Sequence, residues 1–212
     1  MIEIFDKEDT SFLYDWENVL IQQTDKVQKD AFAEFSKLPQ YSINDSNIIL
    51  QLLSNYDDVY PGWIRCTNFS YVFKFQPDKP TMLPHTDTDP ETAKKIKGKA
   101  KRILIYATPI WKKEWNGGTY FAPFEKYGVN RHNAARCPKK KFIQEATLVQ
   151  NVPGRAVVFD IDELHLPQEF SGNTRQRLIY SAMLVHPNHP EIAKNLQGPD
   201  NQGRRVVKLE SP

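Results

Sequence analysis

A chain of 212 residues, 40% hydrophobic and 25% charged, has the make-up of a soluble globular protein and is sized for a single domain over 1–212. Its formal charge of +2 is too small to argue for nucleic acid as the main partner. Cys66 and Cys137 cannot form a disulfide framework and suit free thiols in a reducing compartment. The charged opening "MIEIFDKEDTSFLYDW" reads as neither signal nor transit peptide, and no apolar run approaches membrane-spanning length. A cytoplasmic protein is the expectation.

Residues 1–45 read as a helical N-terminal layer. In "DTSFLYDWENVLIQQ", Phe12, Trp16, Val19 and Leu20 form one stripe, with Asp9 or Thr10 as the cap. "DKVQKDAFAEFSKL" repeats the pattern through Val27, Ala31, Phe32 and Phe35 and stops before Pro39. The texture then changes to short β-branched and aromatic runs bounded by Gly, Pro or charge: 69–76, 102–110, 117–123, 145–152, 155–162 and 177–185. With "TMLPHTD" and "HLPQEF" they make about eight strands over 69–185. Such a set behind a helical layer predicts a mainly β double-stranded β-helix, a cupin-like jelly roll whose two sheets enclose a pocket.

Three segments fall outside the strand pattern. The Lys run 91–102 reads as a solvated loop or helix face. Residues 124–142 form a long basic insertion, either a solubilising lid or a functional one. Its Arg131, Arg136 and Lys139 to Lys141 hint at an acidic or carboxylate-bearing substrate. The Pro- and Gly-rich stretch 186–212 reads as a peripheral wrap or a partly disordered tail.

In "TMLPHTDTD", His85 and Asp87 sit two apart, so on a strand they offer an imidazole and a carboxylate to one side. Two histidines and one carboxylate form a facial triad that binds Fe(II) and leaves three adjacent positions open. The third ligand must come from His132, His165, His186 or His189. His165, after "VPGRAVVFDIDEL" and at the start of a strand, is the best placed of the four. Beyond it, Arg175 and Arg177 share one face of the last strand. An arginine in a closed pocket calls for a carboxylate, which a guanidinium can grip with two parallel bonds.

These residues carry a family likeness. "HTD" at 85–87, "RILIYATPIWKKEWNGGTYF" at 102–121, "VPGRAVVFDIDELH" at 152–165 and "GNTRQRLIYSAM" at 172–183 resemble, in that order, the Fe(II)- and 2-oxoglutarate-dependent dioxygenases, nearest the prolyl-4-hydroxylase-like branch. The resemblance implies that His85, Asp87 and His165 bind Fe(II) and that Arg175 grips the distal carboxylate of 2-oxoglutarate, with Arg177 competing for that role. It implies that the Tyr106 hydroxyl bonds the same carboxylate and that Tyr71 lines the cosubstrate pocket. Trp111 and Trp115 would close the barrel end. Asp89 competes with Asp87, but "DP" at 89–90 reads as a turn leaving the strand. An intact Asp87 argues against halogenation. Ser181, where the nucleic-acid demethylating branch has a second arginine, argues against that activity.

The activity implied uses Fe(II), 2-oxoglutarate and O2 to hydroxylate a C–H bond of a peptidyl proline, an amino acid or a small metabolite, releasing succinate and CO2. The alternative is a non-catalytic or 2-oxoglutarate-independent cupin-like metal-binding protein, which would have no use for an arginine in its pocket.

Overall fold

Runs of Ile, Val, Phe and Tyr become strands, as their shape favours on a pleated surface. The computed structural model describes residues 1–6, 28–29, 40–42, 58–73, 83–108, 110–129, 134–170 and 177–196. Among them are β1 (Ile2–Asp6), β2 (Gln28–Lys29), β3 (Gln40–Ser42), β4 (Ile64–Phe73), β5 (Ala100–Tyr106), β6 (Thr119–Ala122), β7 (Thr147–Val149), β8 (Arg155–Asp160), β9 (Leu164–Pro167) and β10 (Arg177–Val185). The helices are α1 (Pro90–Ile96), α2 (Phe124–Tyr127), α3 (Lys139–Glu145) and α4 (Pro190–Leu196).

Seven strands form an antiparallel sheet in the order β1-β8-β5-β10-β4-β3-β2, and β7-β6-β9 form a second. Single bridges widen the second sheet: His85 pairs with His165, Ala134 with His85, and Val129 with Ala135. The result is the expected double-stranded β-helix. Strands predicted at 155–162 and 177–185 appear as β8 and β10, whereas the described part of the run at 69–76, residues 69–73, belongs to a strand that starts earlier, at Ile64. Of "TMLPHTD", the described residues 83–87 contribute only the bridge at His85.

The N-terminal expectation needs correction where it can be compared. Residues 9–23 lie outside the described residues. Gln28–Lys29, inside the second predicted helix, are strand and pair with Tyr41 and Ser42. Ile2–Asp6, not read as a strand, pair with β8 at the sheet edge. A two-pronged ion pair fastens that edge, Arg155 Nε and Nη2 donating to Asp6 Oδ1 and Oδ2 at 2.6 and 2.7 Å.

Tyr106, Val157, Phe159 and Ile179 of the large sheet pack with Phe121 and Val149 of the small one, which defines the inner face. Further along that face, Ala100, Met183 and Val185 close one end of the barrel against Ile96 of α1 and Ile192 of α4. The opposite face of the large sheet, with Ile103, Ile105, Ala156, Val158 and Tyr180, is buried as well. Burial on both faces explains why β8, "RAVVFD", reads as an unbroken apolar run instead of alternating.

The basic insertion is a layer on the outside of the small sheet. Phe142 of α3, with Val129, Ala135 and Cys137, packs on Ala122, Leu164 and Leu166, the residues of β6 and β9 that point away from the barrel. The Lys run begins as helix α1 and passes through a turn into β5; the N-cap of α1 is Asp89, with Oδ1 accepting from the amides of Glu91 and Thr92. No helix among the described residues is long and apolar enough to cross a membrane.

Candidate metal centre

His85 and His165 face each other as a hydrogen-bonded antiparallel pair. His85 N–H donates to the His165 carbonyl at 3.0 Å, and His165 N–H donates to that of His85 at 2.9 Å. Directly paired residues project to the same face, and the two ring centroids are 4.5 Å apart. The His165 ring also lies against Phe121 and Phe159, on the inner face.

The tautomer of each ring follows from its neighbour. His85 Nδ1 lies 2.9 Å from the Leu83 carbonyl oxygen, and His165 Nδ1 lies 3.3 Å from that of Glu163. A carbonyl only accepts, so Nδ1 carries the proton in both rings and Nε2 keeps its lone pair for a metal. Burial, opposed by Asp87 and reinforced by His85, pulls the His165 imidazole down to about 4, so it is neutral at pH 7. Neutral imidazole is the ligating form.

Asp87 completes the set. Its Oδ1 is 3.6 Å from His165 Nε2, while Oδ2 accepts from Arg102 Nε at 2.7 Å. Burial alone would raise this carboxyl, but Arg102 and then the two imidazoles hold it well below the usual carboxylate range. One donor atom from each of His85, Asp87 and His165 lies within 4.8 Å of the others. Metal–ligand bonds of about 2.1 Å place neighbouring donors roughly 3–4 Å apart. Two imidazoles and a carboxylate so arranged fit Fe(II), and the Asp87 side chain keeps 22% exposure, leaving an approach from solvent.

A second cluster lies along the inner face. Arg177, only 2% exposed, places its guanidinium 5.7 Å from the Tyr106 ring centroid. Its Nη2 donates to the Gly118 carbonyl at 3.2 Å and to Thr119 Oγ1 at 3.5 Å, and the Tyr106 hydroxyl donates to Thr119 Oγ1 at 2.9 Å. Burial lowers Arg177 to about 10, with Tyr106 opposing, so it stays charged at pH 7. The Gly118 carbonyl, the Thr119 hydroxyl and the Tyr106 ring beside it are all neutral. A cation and a phenol at one spot suit an anionic group. Gly118 is what lets the strands approach, since a Cβ there would run into the Val149 carbonyl oxygen.

Other expected residues fall as follows. Arg175 lies outside the described residues, as does His132. Tyr71 sits in register with Ile179, which pairs on its other side with Tyr106. Trp111 packs edge-on with Trp115 and Phe170 and over Gly117, a packing role. His186 and His189 lie together in a turn after β10, His186 against Trp63 and outside the triad. In the insertion, Lys139 pairs with Glu169, and Arg136, Lys140 and Lys141 are exposed. Arg102 and Thr119 were not singled out from the sequence, and Gly118 entered only as half of the Gly-Gly pair of the family likeness. Arg102 shares strand parity with Tyr106, the signal that could have found it.

No family model matches the sequence, and no curated protein matches it. Solved structures do. SnoN, a non-heme alpha-ketoglutarate-dependent epimerase from nogalamycin biosynthesis, superposes with a TM-score of 0.57 at 11% identity, over 100% of this chain and 89% of its own. HygX from Streptomyces hygroscopicus, with nickel, 2-oxoglutarate and hygromycin B bound, gives 0.55 at 11% identity over 87% and 82%. A prolyl hydroxylase from Trichoplax adhaerens, in complex with a hypoxia inducible factor peptide fragment, gives 0.54 at 10% over 91% and 87%. This chain has the double-stranded β-helix of the 2-oxoglutarate-dependent oxygenases. At such identities the likeness is one of fold, and chemistry must be argued from the residues.

Proposed function

We propose that the protein is an Fe(II)- and 2-oxoglutarate-dependent oxygenase that hydroxylates a C–H bond of a small molecule or peptide. The observation that carries this reading is the pairing of two sites on one inner face. His85, Asp87 and His165 converge at one point, and the buried cation Arg177 stands beside Tyr106 further along. Bound there, Fe(II) and 2-oxoglutarate supply the oxidative decarboxylation to succinate and CO2 that drives oxygen from O2 into a C–H bond.

His85 and His165 would hold the metal through Nε2 and Asp87 through Oδ1, leaving positions for the cosubstrate and O2. Arg177 and the Tyr106 hydroxyl would grip the distal carboxylate of 2-oxoglutarate. Arg177 takes precedence over Arg175 because its burial and its neighbours are those of a pocket anchor. Phe121 and Phe159, flanking His165, keep water from that part of the pocket. A 2-oxoglutarate-independent cupin would gain nothing from a buried Arg177. The residue six beyond Arg177 is Met183, so the second arginine of the nucleic-acid demethylating branch is missing from this register too. Peptidyl proline, free amino acids and small metabolites are the substrate classes to screen, and the SnoN, HygX and prolyl hydroxylase structures span small-molecule and peptide chemistry.

The test is Fe(II)-dependent conversion of 2-oxoglutarate to succinate in air, measured for wild type and Asp87→Ala. Conversion by the wild type that is lost in the variant supports the reading. Equal conversion by both would contradict it.

A further inference from the structure

Arg102 is a charged side chain where the register calls for an apolar one. On β5 it lies between Ala100 and Leu104 on the inner face, and its cross-strand neighbours are Phe159 and Met183. It is only 8% exposed. A buried ion pair is weak grounds for stability, since an apolar pair of similar volume is often as stable or more so. Stability therefore leaves Arg102 unexplained.

What Arg102 does is divide the two oxygens of Asp87. Its Nε donates to Oδ2 at 2.7 Å, and Oδ1 is the oxygen turned to His165 Nε2 at 3.6 Å. Asp87 needs such a hold. It sits in the turn between the His85 bridge and α1, outside any strand, and the residue as a whole is exposed. Left alone, its carboxylate could turn to water or chelate a metal through both oxygens.

We propose that Arg102 is a positioning residue of the metal centre: by holding Oδ2 it makes Asp87 a one-oxygen ligand and keeps the remaining coordination positions open. This rests on the metal-binding reading above. A carboxylate chelating through both oxygens would occupy one of the three positions that two histidines and one carboxylate leave free. In this role Arg102 acts through Asp87, the side chain it bonds. Lysine is no full replacement, because it lacks the planar Nε–H that aims at Oδ2.

Anaerobic titration of the apo-protein with Co(II), followed by visible absorption, tests the proposal on wild type, Arg102→Met, Arg102→Lys and Asp87→Ala. Arg102→Met is expected to raise the Co(II) Kd by about 10–100-fold and to change the ligand-field band, with an unchanged apo far-UV spectrum. Arg102→Lys recovers part of the affinity, and Asp87→Ala loses binding. A folded Arg102→Met protein with a Kd within twofold of wild type and the same band would overturn the proposal. If Arg102→Met does not fold, Arg102→Gln is judged by the same two criteria. Absence of Co(II) binding in the wild type would overturn the metal centre itself, a different failure from that of Arg102 alone.

Discussion

His85 and His165 exchange both of their main-chain hydrogen bonds, so backbone pairing alone sets the two imidazoles side by side. The pair joins residues far apart in sequence across the edge of the small sheet. Because the bonds are main-chain, they survive removal of either ring. His85→Ala and His165→Ala are therefore expected to abolish Fe(II) or Co(II) binding while the apo-protein keeps its fold. Unfolding in urea should place the apo variants within about 1–2 kcal/mol of wild type. Calorimetric titration with the metal checks the first half. Wild-type affinity in either variant would contradict it.

Arg177 and Tyr106 should control the cosubstrate and leave the metal alone. Arg177→Met removes charge-assisted hydrogen bonds worth about 1.5–3 kcal/mol each, so the 2-oxoglutarate Kd should rise by about 10–100-fold or more. Tyr106→Phe, losing one bond, should cost about tenfold. Metal affinity without 2-oxoglutarate should stay at the wild-type value in both. Arg175→Met is the control that separates the two arginines: a larger effect there than in Arg177→Met would move the anchor to Arg175.

The meeting of His85, Asp87 and His165 was legible because each of its signals is local. His85 and Asp87 stand two apart, although Asp87 lies in a turn and not on the strand that this spacing assumes, and His165 follows a strand and an acidic corner. The burial of Arg177 was not legible, since strand parity gives Arg175 and Arg177 the same face in sequence. Arg102 was missed for a related reason: it opens an apolar run, where a charged residue reads as the strand's solvated end. β1 was missed because "IEIFD" carries only three apolar residues, and its strand state depends on pairing with β8 and on the Arg155 clamp. The insertion was legible as long and basic. That its helices pack outside the small sheet depends on Phe142 meeting Leu164 and Leu166, a contact no local pattern announces.

Gly118→Ala tests how the strands deliver the Arg177 contact. The added methyl meets backbone, the Val149 carbonyl, so β6 and β7 must separate. A loss of about 2–4 kcal/mol in stability is expected, together with weaker 2-oxoglutarate binding because the Gly118 carbonyl that accepts from Arg177 must shift. Thermal unfolding and a 2-oxoglutarate titration read the two effects separately.

The Asp6–Arg155 clamp predicts a pH dependence. The hydrogen bond from Arg155 holds the Asp6 carboxyl below its ordinary value, with partial burial opposing. A carboxyl more acidic in the folded state stabilises fully above its unfolded value of about 3.9 and loses that contribution as pH falls through the folded one. The Asp6 side chain is 55% exposed, so the contribution is that of a screened surface pair, about 0.2–1 kcal/mol. Asp6→Asn should be less stable than wild type at pH 7 by that amount and indistinguishable well below the folded value. Urea unfolding at the two pH values checks this, and a gap that widens in acid would reverse the assigned sign.

The two paired histidines, Asp87 and the buried arginine are proposed to form one site for Fe(II) and 2-oxoglutarate. The most direct test of this proposal is an anaerobic titration of the apo-protein with Fe(II) and then 2-oxoglutarate, watching for the visible metal-to-ligand charge-transfer band. A band is expected in the wild type that is absent in His85→Ala and needs far more 2-oxoglutarate in Arg177→Met. A wild-type protein that binds Fe(II) and develops no band on adding 2-oxoglutarate would contradict it.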